Sequence, residues 1–164
     1  MKTIQGPGIF LAQFVRDSEP FNSIESIGRW VSGFGYKGVQ IPTWESSLID
    51  LEKAASSKAY CDEYKGRLAE MGLEIIELGS YLQGQVLAFH PAYAPGFEAF
   101  HPKGLKGAEV TEWATDQLKK TVDASVNFGT SNISAMSGGF AWHMIYPWPQ
   151  RPEGVIDESF TELA

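Results

Sequence analysis

Three stretches of this chain end in the same way, and that repetition narrows the folds open to it more than any other feature. In each, an amphipathic helical stretch runs into an apolar residue and a glycine, and a short β-rich run follows: FGYKGVQI from Phe34 to Ile41, MGLEIIEL from Met71 to Leu78, and FGTSNISA from Phe128 to Ala135. A glycine just past a helix takes the left-handed backbone conformation without a Cβ clash, so Gly35, Gly72 and Gly129 are expected as C-terminal caps. The first helix carries Ile24, Ile27, Trp30, Val31 and Phe34 at helical spacing, with Asn22 expected as its N-cap and Glu25 completing a capping box. The second carries Tyr60, Cys61, Tyr64, Leu68 and Met71, and the third Val110, Trp113, Ala114, Leu118, Val122 and Val126. Both stripes are expected to face a sheet. With an opening strand over Gly8 to Phe14, strands and helices alternate along the chain. Such alternation implies parallel strands joined by right-handed crossovers.

The length then limits the architecture. The 164 residues fit one domain, 1–164, and hold four βα units. A closed barrel needs eight, over about 250 residues. The expected fold is therefore α/β, a (βα)4 half of a TIM barrel with outer helices. A last helix, expected to open with Asp157 as its cap, shows Phe160 and Leu163 before the sequence stops, as if cut in mid-helix. A half-barrel leaves its first and fourth strands as open edges, which invites pairing with a second copy, so a homo-oligomer is expected.

Charge excludes some partners. With 13 basic against 20 acidic residues and a net charge of −7, the chain lacks the clustered Lys and Arg that nucleic acids or anionic membranes require. Met1 to Gln5 does not open a signal peptide, and no run of about 18 apolar residues could span a bilayer, so a cytoplasmic location is expected. The one cysteine, Cys61, lies in an apolar helical stripe and is read as a buried, inert thiol.

Chemistry in parallel α/β folds gathers at the carboxyl ends of the strands. Each strand has a polar residue near that end: Gln13, Gln40, Glu77, and Ser134 or Ser137. Buried there, such groups need partners, either one another or a substrate hydroxyl. Glu45, just past the second strand, is freer to meet a ligand. The following loops carry no charge from Leu78 to Phe97 or from Ala124 to Gln150, yet hold Tyr81, Phe89, Tyr93, Phe97, Phe140, Trp142, Tyr146 and Trp148. A charge-free aromatic loop is expected to be covered, by a ligand, a partner or further barrel. His90, His101 and His143 fall on loops and form no ligand set, so no metal site is expected from this chain alone. Ser137-Gly138-Gly139 reads as a tight turn rather than an anion cradle. No phosphate-binding glycine pattern or nucleophile elbow is present.

GYKGVQIPTW (Gly35 to Trp44), SYLQGQVLAFHPAY (Ser80 to Tyr93) and SGGFAWHMIYPWPQRP (Ser137 to Pro152) together resemble the sugar phosphate isomerase/epimerase family of xylose-isomerase-like barrels, over its first half only. The resemblance implies a sugar or polyol isomerase or epimerase, with a divalent metal (Mn, Mg, Zn or Co) in the complete protein held chiefly by later strands. The chain departs from that pattern at Tyr81, where such barrels commonly place a His; a neutral phenol is a poor metal ligand. The substrate-contacting residues expected on this reading are Gln13, Gln40, Trp44, Glu45, Tyr81, Gln83, Trp142 and His143, and the isolated half is expected to be weakly active or inert. The rival expectation is a non-catalytic α/β interaction module that docks a partner through its aromatic loops.

Overall fold

Four short β-runs, each preceded or followed by an amphipathic helix, assemble in the computed structural model into one sheet with the strands in sequence order, every neighbouring pair parallel. The structure describes residues 5–141 and 154–163. The strands are β1 (Gly8–Phe10), β2 (Gly38–Pro42), β3 (Glu74–Ser80) and β4 (Ile133–Ala135). The helices are α1 (Ile24–Gly33), α2 (Leu51–Ser56), α3 (Lys58–Glu70), α4 (Tyr81–Gln85), α5 (Ala94–Phe97), α6 (Ala108–Phe128) and α7 (Val155–Leu163). The expected α/β class and parallel sheet are thus present. Among the described residues no helix is long and apolar enough to cross a membrane.

Contacts divide the chain into two compact units, residues 1–81 with 117–135 and residues 82–116 with 136–164. The first unit holds the sheet. Its core is built on the helix side by Leu11, Val39, Ile41 and Leu78 from the sheet region and Ile27, Val31, Cys61, Tyr64 and Leu68 from α1 and α3. Each fully buried aliphatic side chain there contributes about 1.5–3 kcal/mol. β2, paired on both edges, is buried at all five positions.

The capping glycines behave as expected: Gly35, Gly72 and Gly129 have φ of 85°, 72° and 72°. Other expectations need correction. The opening strand ends at Phe10, not Phe14, because the chain coils into a 3-10 turn over Ala12–Phe14. That turn lets Leu11, Phe14 and Val15 reach the helix-side core. The N-cap of α1 is Ser23, not Asn22: Ser23 is extended and its Oγ accepts from the Ser26 N–H at 3.3 Å. Asn22 instead accepts from the Ser26 hydroxyl. Asp157 lies inside the first turn of α7, which begins two residues earlier at Val155.

The largest correction concerns α6. Val122 and Val126 are 52% and 73% exposed, while Thr121, Ala124, Ser125 and Phe128 are buried. The buried hydroxyl of Thr121 is satisfied three ways: it donates to Gln117 O at 2.9 Å and shares contacts with Thr43 Oγ1 at 3.3 Å and Ser80 Oγ at 3.4 Å. Asn127 completes the seating by donating to the carbonyls of Ala54 and Ala55, both at 2.9 Å. Satisfied hydrogen bonds decide which face turns inward, even against two valines.

The second unit has its own small core. Val86, Phe97, Val110 and Ala114 are buried, and Phe89, Tyr93, Phe100 and Leu105 pack on them. The stretch after β3 is therefore not an open loop but a run of short helical turns, α4, α5 and two 3-10 segments. Much of its aromatic area is covered internally: Phe97 meets Phe89 at 5.2 Å and Phe100 at 5.7 Å between ring centroids. Phe140 remains 64% exposed. The turn at Ser137 to Gly139 is a turn, as expected, with Gly138 at φ 64° and the Gly139 N–H given to Ala88 O at 2.6 Å.

Candidate functional site

A β-bulge sets the site. Val39 pairs with Ile75 but its successor Gln40 pairs with Glu77, leaving Ile76 as an extra residue in β3. An extra residue shifts the in/out alternation by one. Ile75 and Leu78 consequently pack in the helix-side core. Ile76 and Glu77 both line a cleft on the opposite face of the sheet. This cleft, of about 450 Å³, is also lined by Gly8, Ile9, Phe10, Gln40 and Asn132.

Beside it, four polar side chains converge. The Gln40 Nε2 donates to Glu77 Oε1. It also lies 3.0 Å from Tyr81 Oη and 3.1 Å from Ser134 Oγ. The Ser134 hydroxyl donates to the same Glu77 oxygen, and Tyr81 Oη and Ser134 Oγ are 2.7 Å apart. Gln40 Oε1 is buried and, among the described residues, has no hydrogen-bond partner. It lies 3.5 Å from where a Cβ on Gly79 would stand, so the glycine keeps the space beside it clear.

An aromatic wall completes the cluster. The Tyr81 ring meets Phe10 edge-on at 5.5 Å and Trp44 at 5.8 Å, and Phe10 meets Trp44 at 6.2 Å. Edge-on packing fixes the phenol ring while leaving its hydroxyl on the polar side. The arrangement is one carboxylate, an amide, two hydroxyls and three ring faces on one side of a sheet. Such a surface suits a small ligand with both hydroxyl groups and C–H faces.

Of the expected contacting residues, Gln40, Trp44 and Tyr81 are brought together. Gln13 is not: it sits exposed on the 3-10 turn after β1 and donates back to Phe10 O at 3.4 Å, because the strand that was to aim it inward has already ended. Glu45 sits half-buried in the turn after β2, where its carbonyl accepts from the N–H groups of Leu48 and Ile49. Gln83 is buried on α4 in the second unit. Trp142 and His143 lie outside the described residues, as do Tyr146 and Trp148.

Phe10, Glu77 and Ser134 complete the cluster without having been counted among the contacting residues. Sequence spacing could have found two of them. Gln40, Glu77 and Ser134 each stand at the same distance beyond their unit's capping glycine, Gly35, Gly72 and Gly129. Equal offsets in repeated units put equivalent residues on one face.

The other histidines do local work. His90 Nδ1 accepts from the Ala92 N–H at 3.2 Å, capping a short 3-10 turn, and His101 contacts Pro102 O. The second unit has a cavity of about 430 Å³ lined by Phe89, Leu105, Val110 and neighbours; none of the described expected residues lines it. Among the described residues no three His, Cys, Asp or Glu side chains gather as a metal-ligand set. The cluster's single carboxylate, with an amide and two neutral hydroxyls, does not fit the ligand set of a resident divalent ion. Comparison with models of known protein families and with curated proteins finds no match.

Proposed function

We propose that this chain supplies the first half of a sugar or polyol isomerase- or epimerase-like barrel, and that the inner face of its sheet binds a small polyhydroxylated ligand. The observation that carries this reading is the Gln40–Glu77–Tyr81–Ser134 cluster walled by Phe10 and Trp44. A sugar presents vicinal hydroxyls that both donate and accept, and C–H faces that pack on aromatic rings. The cluster matches both needs. The buried acceptor left open at Gln40 Oε1 calls for an O–H donor, since an unpaired buried acceptor costs about 1–3 kcal/mol.

Glu77 is the proton acceptor of this reading, and Gln40 and Ser134 hold its carboxylate in place. The resemblance associates such barrels with a divalent metal, but the residues here do not form its ligand set, and no step is derived through one. The aromatic loop after β3 favours this reading over a docking module, because Phe89, Phe97 and Phe100 spend their area on one another.

The partner implied is a second copy. In the first unit, β1 and β4 are the sheet's two outer strands, and Val122 and Val126 on α6, Ile133 on β4 and Phe34 at the end of α1 are exposed. Open strand edges beside uncovered apolar side chains favour pairing with another sheet.

A ligand screen tests the binding claim. Unmodified aldoses, ketoses and cyclitols are titrated while the melting temperature and the Trp44 indole resonance are followed. At least one class is expected to raise the melting temperature by mass action and shift that resonance, and Gln40→Ala to abolish both effects. If none of the three classes moves either readout, the reading fails.

A further inference from the structure

Counting protons in the cluster fixes the direction of its hydrogen bonds. Gln40 Nε2 has two hydrogens, and Tyr81 and Ser134 have one each. The Ser134 hydrogen is committed to Glu77 Oε1. In the 2.7 Å contact with Tyr81, Ser134 can therefore only accept, so the phenol must donate. One Gln40 hydrogen goes to Glu77, and the other is left for the oxygens of Tyr81 and Ser134 at 3.0 and 3.1 Å. The result is a one-way chain from Tyr81 through Ser134 to Glu77, with Gln40 spanning its ends. Hydrogen bonds aligned head to tail polarise one another.

We infer that this chain is a proton relay, by which a proton arriving at Tyr81 Oη is passed through Ser134 and stored on Glu77. The inference rests on the polyol reading and goes beyond it, since ligand binding alone requires no direction in the network. In the forward step a ligand hydroxyl gives its proton to Tyr81 Oη as the Tyr81 proton passes to Ser134 Oγ and the Ser134 proton to Glu77 Oε1. Each of the three O–H bonds broken is matched by one formed. The negative charge moves from the carboxylate to the ligand oxygen, and nothing is oxidised or reduced. The reverse step restores the starting state. Tyr81 is the catalytic residue of this scheme, and Ser134 and Gln40 are positioning residues.

Among the described residues lining the cleft, Glu77 meets no second acid and no base. Of the groups facing it, β2 offers Gln40, β4 Ser134 and β1 Phe10, none of which titrates in the carboxylate range; α4 offers Tyr81.

The test follows the Tyr81 ring carbon that bears the hydroxyl by NMR in the full chain, assigned with Tyr81→Phe, as pH is lowered through the carboxylate range. The resonance is expected to shift with protonation of Glu77, to lose that inflection in Glu77→Gln, and to lose most of it in Ser134→Ala. A Ser134→Ala profile like that of the parent means Tyr81 senses Glu77 only through space, and the relay is overturned. Ser134→Thr, which keeps the hydroxyl, should restore the inflection and separates the relay from damage to the fold. D-fructose and myo-inositol are added in parallel. Ligand shifts at Trp44 without relay coupling overturn the relay and leave the binding reading standing. Coupling with no response to either probe at Tyr81 overturns the relay's assignment to ligand chemistry, and the wider ligand screen then decides the binding reading separately.

Discussion

At the scale of single residues, burial decides what the titratable groups can do. Cys61 is buried against the Ala54 carbonyl, to which its thiol donates at 3.3 Å, and burial pushes the thiol up from 9.0 to about 11. Tyr64 beside it is fully buried, gives its hydroxyl to Leu48 O at 3.1 Å, and is raised well above its ordinary value by the same desolvation. Both groups are neutral below their ordinary values in either state, so their contribution to stability is complete below pH 9. The unfolded chain ionises first as pH rises, and stability falls from about pH 9 towards pH 11 and beyond. Denaturant midpoints measured across that range should show the fall, and Cys61→Ala should flatten its lower part; an unchanged slope in the variant would assign it elsewhere. Native Cys61 should also resist thiol reagents near neutral pH until the chain opens.

At the scale of elements, α6 shows that hydroxyl partners can outrank side-chain hydrophobicity. Thr121→Val keeps the volume but strips Thr43 and Ser80 of a shared partner, and should cost about 1–3 kcal/mol in denaturant unfolding. Val122→Thr, one position along on the exposed face, should stay within about 0.5 kcal/mol. Equal costs would mean the two faces are not distinguished as the structure has them. The same helix shows why reading its second half from sequence failed, although Val110 and Ala114 in its first half are buried. Leu118, Val122 and Val126 recur at helical spacing, and nothing local reveals that Thr121 finds its partners just past β2 and at the end of β3. By contrast, Gly35, Gly72 and Gly129 were legible, because a left-handed cap is a property of the residue and its immediate neighbours. The site lies between these cases. Gln40, Trp44 and Tyr81 could be named as polar or aromatic groups at strand ends, and Glu77 and Ser134 noticed there, but their convergence depends on strand pairing across the bulge. Gln13 was misplaced because the end of β1 is set by how Leu11, Phe14 and Val15 bury, which the alternation of IFLAQF does not disclose.

At the scale of the molecule, the proposed second copy has a measurable signature. Sedimentation should find a dimer or larger species whose thermal stability rises with protein concentration. Val126→Glu should shift it towards monomer with little change in the monomer's own unfolding, since that position is 73% exposed in the single chain. A parent chain that stays monomeric at every concentration would remove the second copy from the proposal. The bulge in β3 bears on how the sequence could vary over generations. With Ile76 as the supernumerary residue, trimming it would straighten the ladder and still leave the carboxylate on the cleft side. This stretch can therefore shed its spare residue without moving its acid, whereas the fully buried Leu78 keeps the helix-facing side apolar.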